Sequence, residues 1–217
     1  MTAGSFRYAV RFPGILLLVA ACASPACSRP DARDPVLPVA AAPAYPPSAQ
    51  GLATVVGAAP PGAVVSLEPS AGLPPPPAES AVMDQRGKQF LPPLLMVQVG
   101  QAVEFRNGED IPHNVFVVQR RVGRTILNVS TDPGQQYTHT FERPGEFDVT
   151  CNHHDGMEAT LIVTASPLAA VADAQGRFIV RNVPPGTYTL LVSDAGSPTD
   201  AEVAVAAPLT EIGVSSR

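Results

Sequence analysis

The amino-acid sequence predicts an all-β protein, and three observations support this fold class. Of its 25 prolines, 17 lie within the first 93 of the 217 residues, and proline removes a backbone donor that a helix needs. From about residue 80 onward, apolar residues alternate with polar ones at a period of two, which is typical of half-buried strands. No stretch in this second half has the apolar spacing of an amphipathic helix. The length allows one or two domains.

The N-terminus has the features of a bacterial export signal. Two arginines precede an apolar run over residues 15–21. This run is shorter than the roughly 20 apolar residues of a membrane span and fits a secretory signal over residues 1–21. Residues 19–22, Val-Ala-Ala-Cys, resemble a bacterial lipobox, which implies that Cys22 becomes the lipid-modified first residue of the mature chain. A plain signal cleaved a few residues later stays open as the alternative.

Residues 22–50 predict a disordered linker. Residues 28–50 hold 6 prolines and 6 alanines and almost no bulky apolar side chain. Such a segment buries too little surface to offset its ordering entropy, and its prolines favour an extended stalk. Together with the lipobox, this stalk predicts a protein of the bacterial periplasm or cell envelope, held to the membrane by a lipid anchor.

Charge and cysteine content exclude some partner classes. The formal net charge is −5 and no run of Lys or Arg occurs, which argues against nucleic acid as a partner, since such binding depends on neutralising phosphates. Three cysteines are too few and too scattered for a disulfide framework. Cys27 has no role that the sequence indicates.

Strand signals continue to about residue 165 and predict an antiparallel β-sandwich. Alternating apolar residues mark strands around Val97, Val115, Val149 and Ile162. Pro144 and the glycine after it fit the central positions of a type II turn.

One group of residues carries metal chemistry. Cys151, His154 and Met157 form Cys-x-x-His-x-x-Met directly after a predicted strand, and His113 stands at the start of another. One thiolate, two imidazoles and one thioether are the ligand set of a blue-copper electron-transfer site. Cys151 is in phase with the apolar residues of the preceding strand, so its thiol should point inward. Zinc sites built on Cys and His rarely include methionine.

With these motifs, residues 78–166 resemble a cupredoxin of the plastocyanin/amicyanin-like group. The resemblance implies a Greek-key β-sandwich, one type 1 copper and single-electron transfer between redox proteins. The ligands that it implies are His113, Cys151, His154 and Met157. It also implies that Asn114 ties the two ligand loops together. Four protein ligands leave no open position, so we expect no enzymatic activity and no small-molecule substrate. Where small blue-copper proteins often have proline before the loop histidine, this chain has His153, which we expect to face solvent.

A second, smaller β-sandwich is predicted from segments on both sides of this region. Residues 173–188 contain Asp-x-x-Gly-Arg-Phe and Val-Pro-Pro-Gly-Thr-Tyr, similar to the carboxypeptidase regulatory-like (transthyretin-like) sandwich. Residues 62–67, Gly-Ala-Val-Val-Ser-Leu, fit a strand in the first half of that family. We therefore expect residues 51–67 and 167–217 to form one module around the inserted copper domain. A sequential tail that packs on the copper domain through an edge strand stays the alternative.

The sequence thus predicts an exported blue-copper protein that carries single electrons between redox partners of the bacterial envelope. Two other functions remain open. One is a copper-binding module for storage, delivery or sensing. The other is an interaction domain whose metal loop is degenerate.

Overall fold

The protein is all-β, as the sequence predicts. The structure, a computed structural model, describes residues 51–194 and 198–213, and these residues form sixteen strands and no helix. Accordingly, no membrane-spanning helix occurs in this part of the chain. The predicted signal peptide (1–21), the linker (22–50), and with them Cys22 and Cys27, lie outside the described residues, as do the last four residues.

The first eleven strands are β1 (Ala53–Ala58), β2 (Val64–Pro69), β3 (Ala81–Arg86), β4 (Gln89–Leu91), β5 (Leu94–Gln98), β6 (Ala102–Asn107), β7 (His113–Gln119), β8 (Arg124–Thr131), β9 (Gln136–Thr140), β10 (Gly145–Thr150) and β11 (Glu158–Thr164). The remaining five are β12 (Ala169–Val171), β13 (Arg177–Val183), β14 (Gly186–Ser193), β15 (Thr199–Val205) and β16 (Leu209–Ile212).

Strands β3 to β11 form the first sandwich. Its two sheets have the strand orders β5-β11-β10-β7-β8 and β4-β3-β6-β9, and inward-facing side chains from both sheets form one apolar core. Large members of this core include Met83, Phe90, Phe105 and Leu161, each at most 1% exposed. The alternation of apolar and polar residues in these strands buries one face of each sheet against the other.

Strands from both sides of this region build a second sandwich. Strand β1 pairs with β13 and β16, while β2 lies between β12 and β14. Their side chains form a separate core around Leu67, Phe178 and Leu190. The segments before β3 and after β11 therefore share one hydrophobic core, and the strands of the first sandwich lie between them in sequence.

The register of three adjacent strands brings two loops together at one end of the first sandwich. Strands β7 and β10 are antiparallel and pair Phe116 with Thr150, while β10 and β11 pair Thr150 with Glu158. The start of β7, the end of β10 and the start of β11 consequently meet. We call this the His113 end, after the first residue of β7.

Three details differ from the sequence-based expectation. The sandwich is not purely antiparallel, because the pairs β3–β6 and β5–β11 are parallel. The φ of Gly145 is not positive, so the predicted type II turn, which requires a positive φ at that position, is wrong. A Cβ at this position would lie 3.2 Å from the Phe147 ring, a tight contact that glycine avoids. Strands β3, β4 and β8 were not among the predicted strands, and the position of β8 at a sheet edge explains its weak alternation.

Candidate metal centre

The side chains of His113, Cys151 and His154 converge at the His113 end. His113 is the first residue of β7, Cys151 directly follows β10, and His154 lies in the loop that returns to β11. Cys151 Sγ lies 3.8 Å from His113 Nδ1 and 3.6 Å from His154 Nδ1, and the ligand atoms of the three residues all lie within 4.8 Å of one another. His113 is fully buried, Cys151 is 7% exposed and His154 is half-buried.

The short loop from Cys151 to Met157 is closed by its own backbone. The Met157 carbonyl accepts a hydrogen bond from the Cys151 amide at 3.1 Å, and the Met157 amide donates to the His154 carbonyl at 3.4 Å. Gly156 adopts a φ of 72°, a conformation that favours glycine and allows this tight reversal. Met157 is 2% exposed and belongs to the same apolar core as Cys151.

Glu109 orients the His113 ring, and the sequence did not reveal this role. Its Oε2 lies 2.6 Å from His113 Nε2. A carboxylate there favours the tautomer in which Nε2 carries the proton, which leaves the Nδ1 lone pair directed toward Cys151. The carboxylate also accepts hydrogen bonds from the Gly87 amide at 2.7 Å and the Lys88 amide at 3.2 Å. In the sequence, this role is indicated only by the position of Glu109 four residues before His113.

The surroundings shift two pKa values at this end. Burial favours raising the pKa of Glu109, but hydrogen bonds from the Lys88 amide, the His113 ring and the Gly87 amide outweigh it, so the pKa is lowered and the carboxylate stays ionised. The pKa of His154 is also lowered, first by desolvation and then by nearby positive groups. A lowered pKa keeps the imidazole neutral, the form that binds metals.

Asn114 connects the two loops that carry these residues. Its Oδ1 accepts a hydrogen bond from the Asn152 amide at 2.6 Å, and its Nδ2 donates to Asn128 Oδ1 at 2.7 Å. The start of β7 is thereby joined both to the Cys151 loop and to β8.

Comparison with known proteins agrees with this geometry. Residues 78–164 match the model of the family described as copper binding proteins, plastocyanin/azurin family. Amicyanin of Paracoccus versutus is 31% identical over 88 residues, covering 40% of this chain and 67% of that protein. Amicyanin-alpha of Methylorubrum extorquens is 30% identical over 88 residues, covering 40% and 74%. Plastocyanin of Ginkgo biloba is 28% identical over 86 residues, covering 36% and 87%.

The chain belongs to the plastocyanin/azurin family. Its first sandwich is a cupredoxin domain, and the copper cofactor predicted from the sequence is confirmed. The carboxypeptidase regulatory-like resemblance of the second sandwich stays a prediction.

The donor atoms fit the copper of this family. For nitrogen and sulfur ligands at roughly 2.0 and 2.3 Å from a metal, two donors 120° apart are separated by about 3.7 Å. The two sulfur–nitrogen distances of 3.8 and 3.6 Å lie close to this value. Thiolate and imidazole together suit copper, because soft sulfur favours Cu(I) and imidazole also accepts Cu(II). The assignment of four individual ligands in the cupredoxin domain stays a prediction.

The two other histidines lie outside this convergence. His153 is exposed, and its ring centroid lies 6.4 Å from that of His154. His139 is on β9 in the opposite sheet, where its ring packs edge-on against Phe141 at 4.7 Å. Burial lowers the pKa of His139.

Proposed function

We propose that this chain is an exported blue-copper protein that carries single electrons between redox proteins of the bacterial envelope. The observation that carries this proposal is the convergence of one buried thiol with two imidazole Nδ1 atoms at one end of a cupredoxin sandwich. A buried site with preset donors suits electron transfer, because little has to rearrange between two oxidation states.

Four side chains hold the copper in this proposal, and each has a distinct part. His113 and Cys151 would provide buried donors, His154 would provide a donor whose ring reaches the surface, and Met157 would provide a weakly binding thioether. When bound, copper supplies a one-electron redox couple. The half-buried edge of His154 is the place where a partner protein approaches most closely.

The surrounding residues keep this site ordered and dry. Glu109 holds the His113 ring through Nε2, and Asn114 holds the Cys151 loop against β7. Val115 and Val149, both 0% exposed, belong to the same apolar core as Cys151, which limits the access of water to the thiol. Because the four proposed ligands are all protein groups, no open position is left for a substrate, and we propose no catalytic reaction.

A visible absorption spectrum of the full chain with Cu(II) tests this function. We expect an intense thiolate-to-copper band, and Cys151→Ser should abolish it, since serine provides no thiolate. A colourless protein that binds only Cu(I) would favour copper storage, delivery or sensing. A chain that binds no copper would favour an interaction domain with a degenerate loop. A reversible reduction potential together with fast exchange with a redox protein is the second requirement for an electron carrier.

The envelope location rests on the sequence of the N-terminus. The signal over residues 1–21, the lipobox that ends at Cys22 and the proline-rich linker 22–50 support a lipid-anchored protein that reaches its partners from the membrane surface. Labelling of expressing bacteria with radioactive palmitate should mark the wild type and not the Cys22→Ser variant. An unlabelled wild type would contradict the anchor.

We also propose that residues 51–67 and 167–217 form one carboxypeptidase regulatory-like module into which the copper domain, residues 78–166, is inserted. Support comes from the pairing of β1 and β2 with four of the last five strands, while the fifth, β15, pairs with β14, and from their separate core. This module has an adhesive or spacing role. Limited proteolysis with mass spectrometry should release fragments that end near residues 70–80 and 165–168, and the N- and C-terminal pieces should remain associated.

A further inference from the structure

A polar side chain crosses the apolar core of the cupredoxin domain near the His113 end. Gln85 lies on β3, and its side chain is fully buried. Its Nε2 donates to the Arg106 carbonyl at 3.0 Å and to Thr131 Oγ1 at 3.1 Å. An amide in an apolar core costs free energy unless it is hydrogen-bonded. Because β3 and β8 belong to different sheets, the contact with Thr131 is a polar bridge between the two sheets.

The Gln85–Thr131 bridge lies next to the segment that contains His113. Thr131 is the register partner of His113 in the β7–β8 pair, and its carbonyl accepts a hydrogen bond from Asn107 Nδ2 at 2.8 Å. Asn107 Nδ2 also donates to the Ile111 carbonyl at 2.8 Å, while its Oδ1 accepts from the Glu109 amide at 3.0 Å. Asn107 is 1% exposed, so water does not replace these contacts.

The backbone of Gln85 supports the same segment. Gln85 and Asn107 are register partners in the parallel β3–β6 pair, and the Gln85 carbonyl accepts a hydrogen bond from the Gly108 amide at 3.2 Å. The β3–β4 turn then provides the two amides that bind the Glu109 carboxylate. Strand β3 and its turn thus contact the loop before His113 at several points. Among these contacting residues, Gln85 also donates a hydrogen bond to the opposite sheet.

We propose that Gln85 is a positioning residue for His113, which it holds in place through Thr131 and Asn107 before metal binds. The inference rests on the proposed copper site. Gln85 makes no contact with the donor atoms, and its effect is to fix the end of β8 and residues 107–112. The sequence around Gln85 does not indicate this role, because its partner Thr131 lies 46 residues away.

The test separates positioning from general stabilisation. Gln85→Leu removes the amide at similar volume. Met83→Leu is the matched control, because Met83 is also fully buried on the same face of β3. A double variant, Gln85→Leu with Thr131→Val, also removes the hydroxyl that the single variant leaves unpaired, while the Arg106 carbonyl loses its Gln85 donor in both variants. Replacing both partners of a buried hydrogen bond by apolar groups is nearly neutral for stability.

Three measurements are made on the full chain. They are the melting temperature without metal, amide hydrogen exchange of residues 108–113 without metal, and copper affinity by competition with a chelator. Gln85→Leu should lower copper affinity about tenfold or more, the size of effect found for groups that orient metal ligands, and should speed exchange in residues 108–113. Met83→Leu should do neither. The double variant should regain part of the melting temperature, since only the Arg106 carbonyl still lacks its Gln85 donor, but not the copper affinity or the slow exchange.

The opposite pattern overturns the proposal. If copper affinity and exchange recover together with the melting temperature in the double variant, Gln85 acts through stability alone. If Gln85→Leu fails to fold, Thr131→Val takes its place with the same expectations, because it removes the side-chain contact between Gln85 and Thr131 and leaves the Asn107 contact to the Thr131 carbonyl in place. If the wild type binds no copper, the proposed function fails, whereas the exchange rates of the metal-free variants still decide whether Gln85 orders the His113 loop.

Discussion

Replacing Glu109 by glutamine should weaken copper binding, because an amide cannot satisfy the three donors that surround this side chain. The two carboxylate oxygens accept from the amides of Gly87 and Lys88 and from His113 Nε2. An amide has only one oxygen. If its oxygen faces His113, its NH2 group opposes the Gly87 amide. If its NH2 group faces His113, it favours the tautomer with the proton on Nδ1, which removes the lone pair that a metal needs.

The expected loss of copper affinity can be given a size. Losing the group that orients a metal-binding histidine typically costs 10–100-fold in metal affinity, which equals about 1.4–2.8 kcal/mol. In the metal-free protein the loss is smaller, because the Glu109 side chain is 18% exposed and water solvates part of what glutamine leaves unpaired. We expect about 1 kcal/mol of lost unfolding free energy there.

Copper affinity by chelator competition and metal-free unfolding in denaturant measure the two effects. Glu146→Gln is the matched control, because it makes the same charge change at a side chain 20% exposed near the start of β10, at the opposite end of the sandwich. The reasoning is refuted if Glu109→Gln weakens copper binding no more than Glu146→Gln, since the contact of Glu109 with His113 would then contribute nothing to metal binding.

Three further outcomes are expected. The pKa of Glu109 is lowered in the folded protein. Its contribution to stability is therefore present above the ordinary glutamate pKa of about 4.3 and is lost as pH falls through the lower folded pKa. The melting curves of the metal-free wild type and of Glu109→Gln should consequently converge in acid. Gly57→Ala would place a Cβ 2.5 Å from the Ile212 carbonyl oxygen. In denaturant unfolding it should destabilise the second sandwich by about 1–3 kcal/mol and leave the copper spectrum unchanged. The control Gly186→Ala, where the nearest atom to the Cβ is at 3.7 Å, should lower the free energy of unfolding by less. Tyr188→Phe removes a hydrogen bond of 2.6 Å to the Pro184 carbonyl and should cost about 1 kcal/mol of unfolding free energy, and an unchanged denaturation midpoint would contradict this.

Much of the first sandwich and of the metal centre could be predicted because short-range patterns determine them. The spacing from Cys151 to Met157 fits a closed loop, and the phase of β10 directs the thiol inward. Residues that act across the fold could not be predicted in this way. Glu109 resembles any loop carboxylate until the β3–β4 turn brings two amides to it, and Gln85 depends on a partner 46 residues away. Strand β8 was missed because an edge strand carries little alternation.

The joint between the two sandwiches lies at the end opposite to the metal centre. Strand β3 begins and β11 ends there, because β3 and β6 run in parallel toward Asn107 and β11 runs away from the Cys151 loop. Contacts agree with this: Arg121, in the turn after β7, donates to the Asp194 carbonyl.

The same joint explains why some outward-facing residues of the first sandwich are buried. Ile162 points away from the first core, yet it is only 3% exposed, and it lines a cavity of about 280 Å³ together with Val64 and Leu191 of the second sandwich. Both connections to the second sandwich therefore leave from the far end, and the residues that touch it lie far from His154. Among the described residues, an attachment at this end leaves the half-buried edge of His154 uncovered, which suits the proposed electron carrier because its partners must come close to the metal.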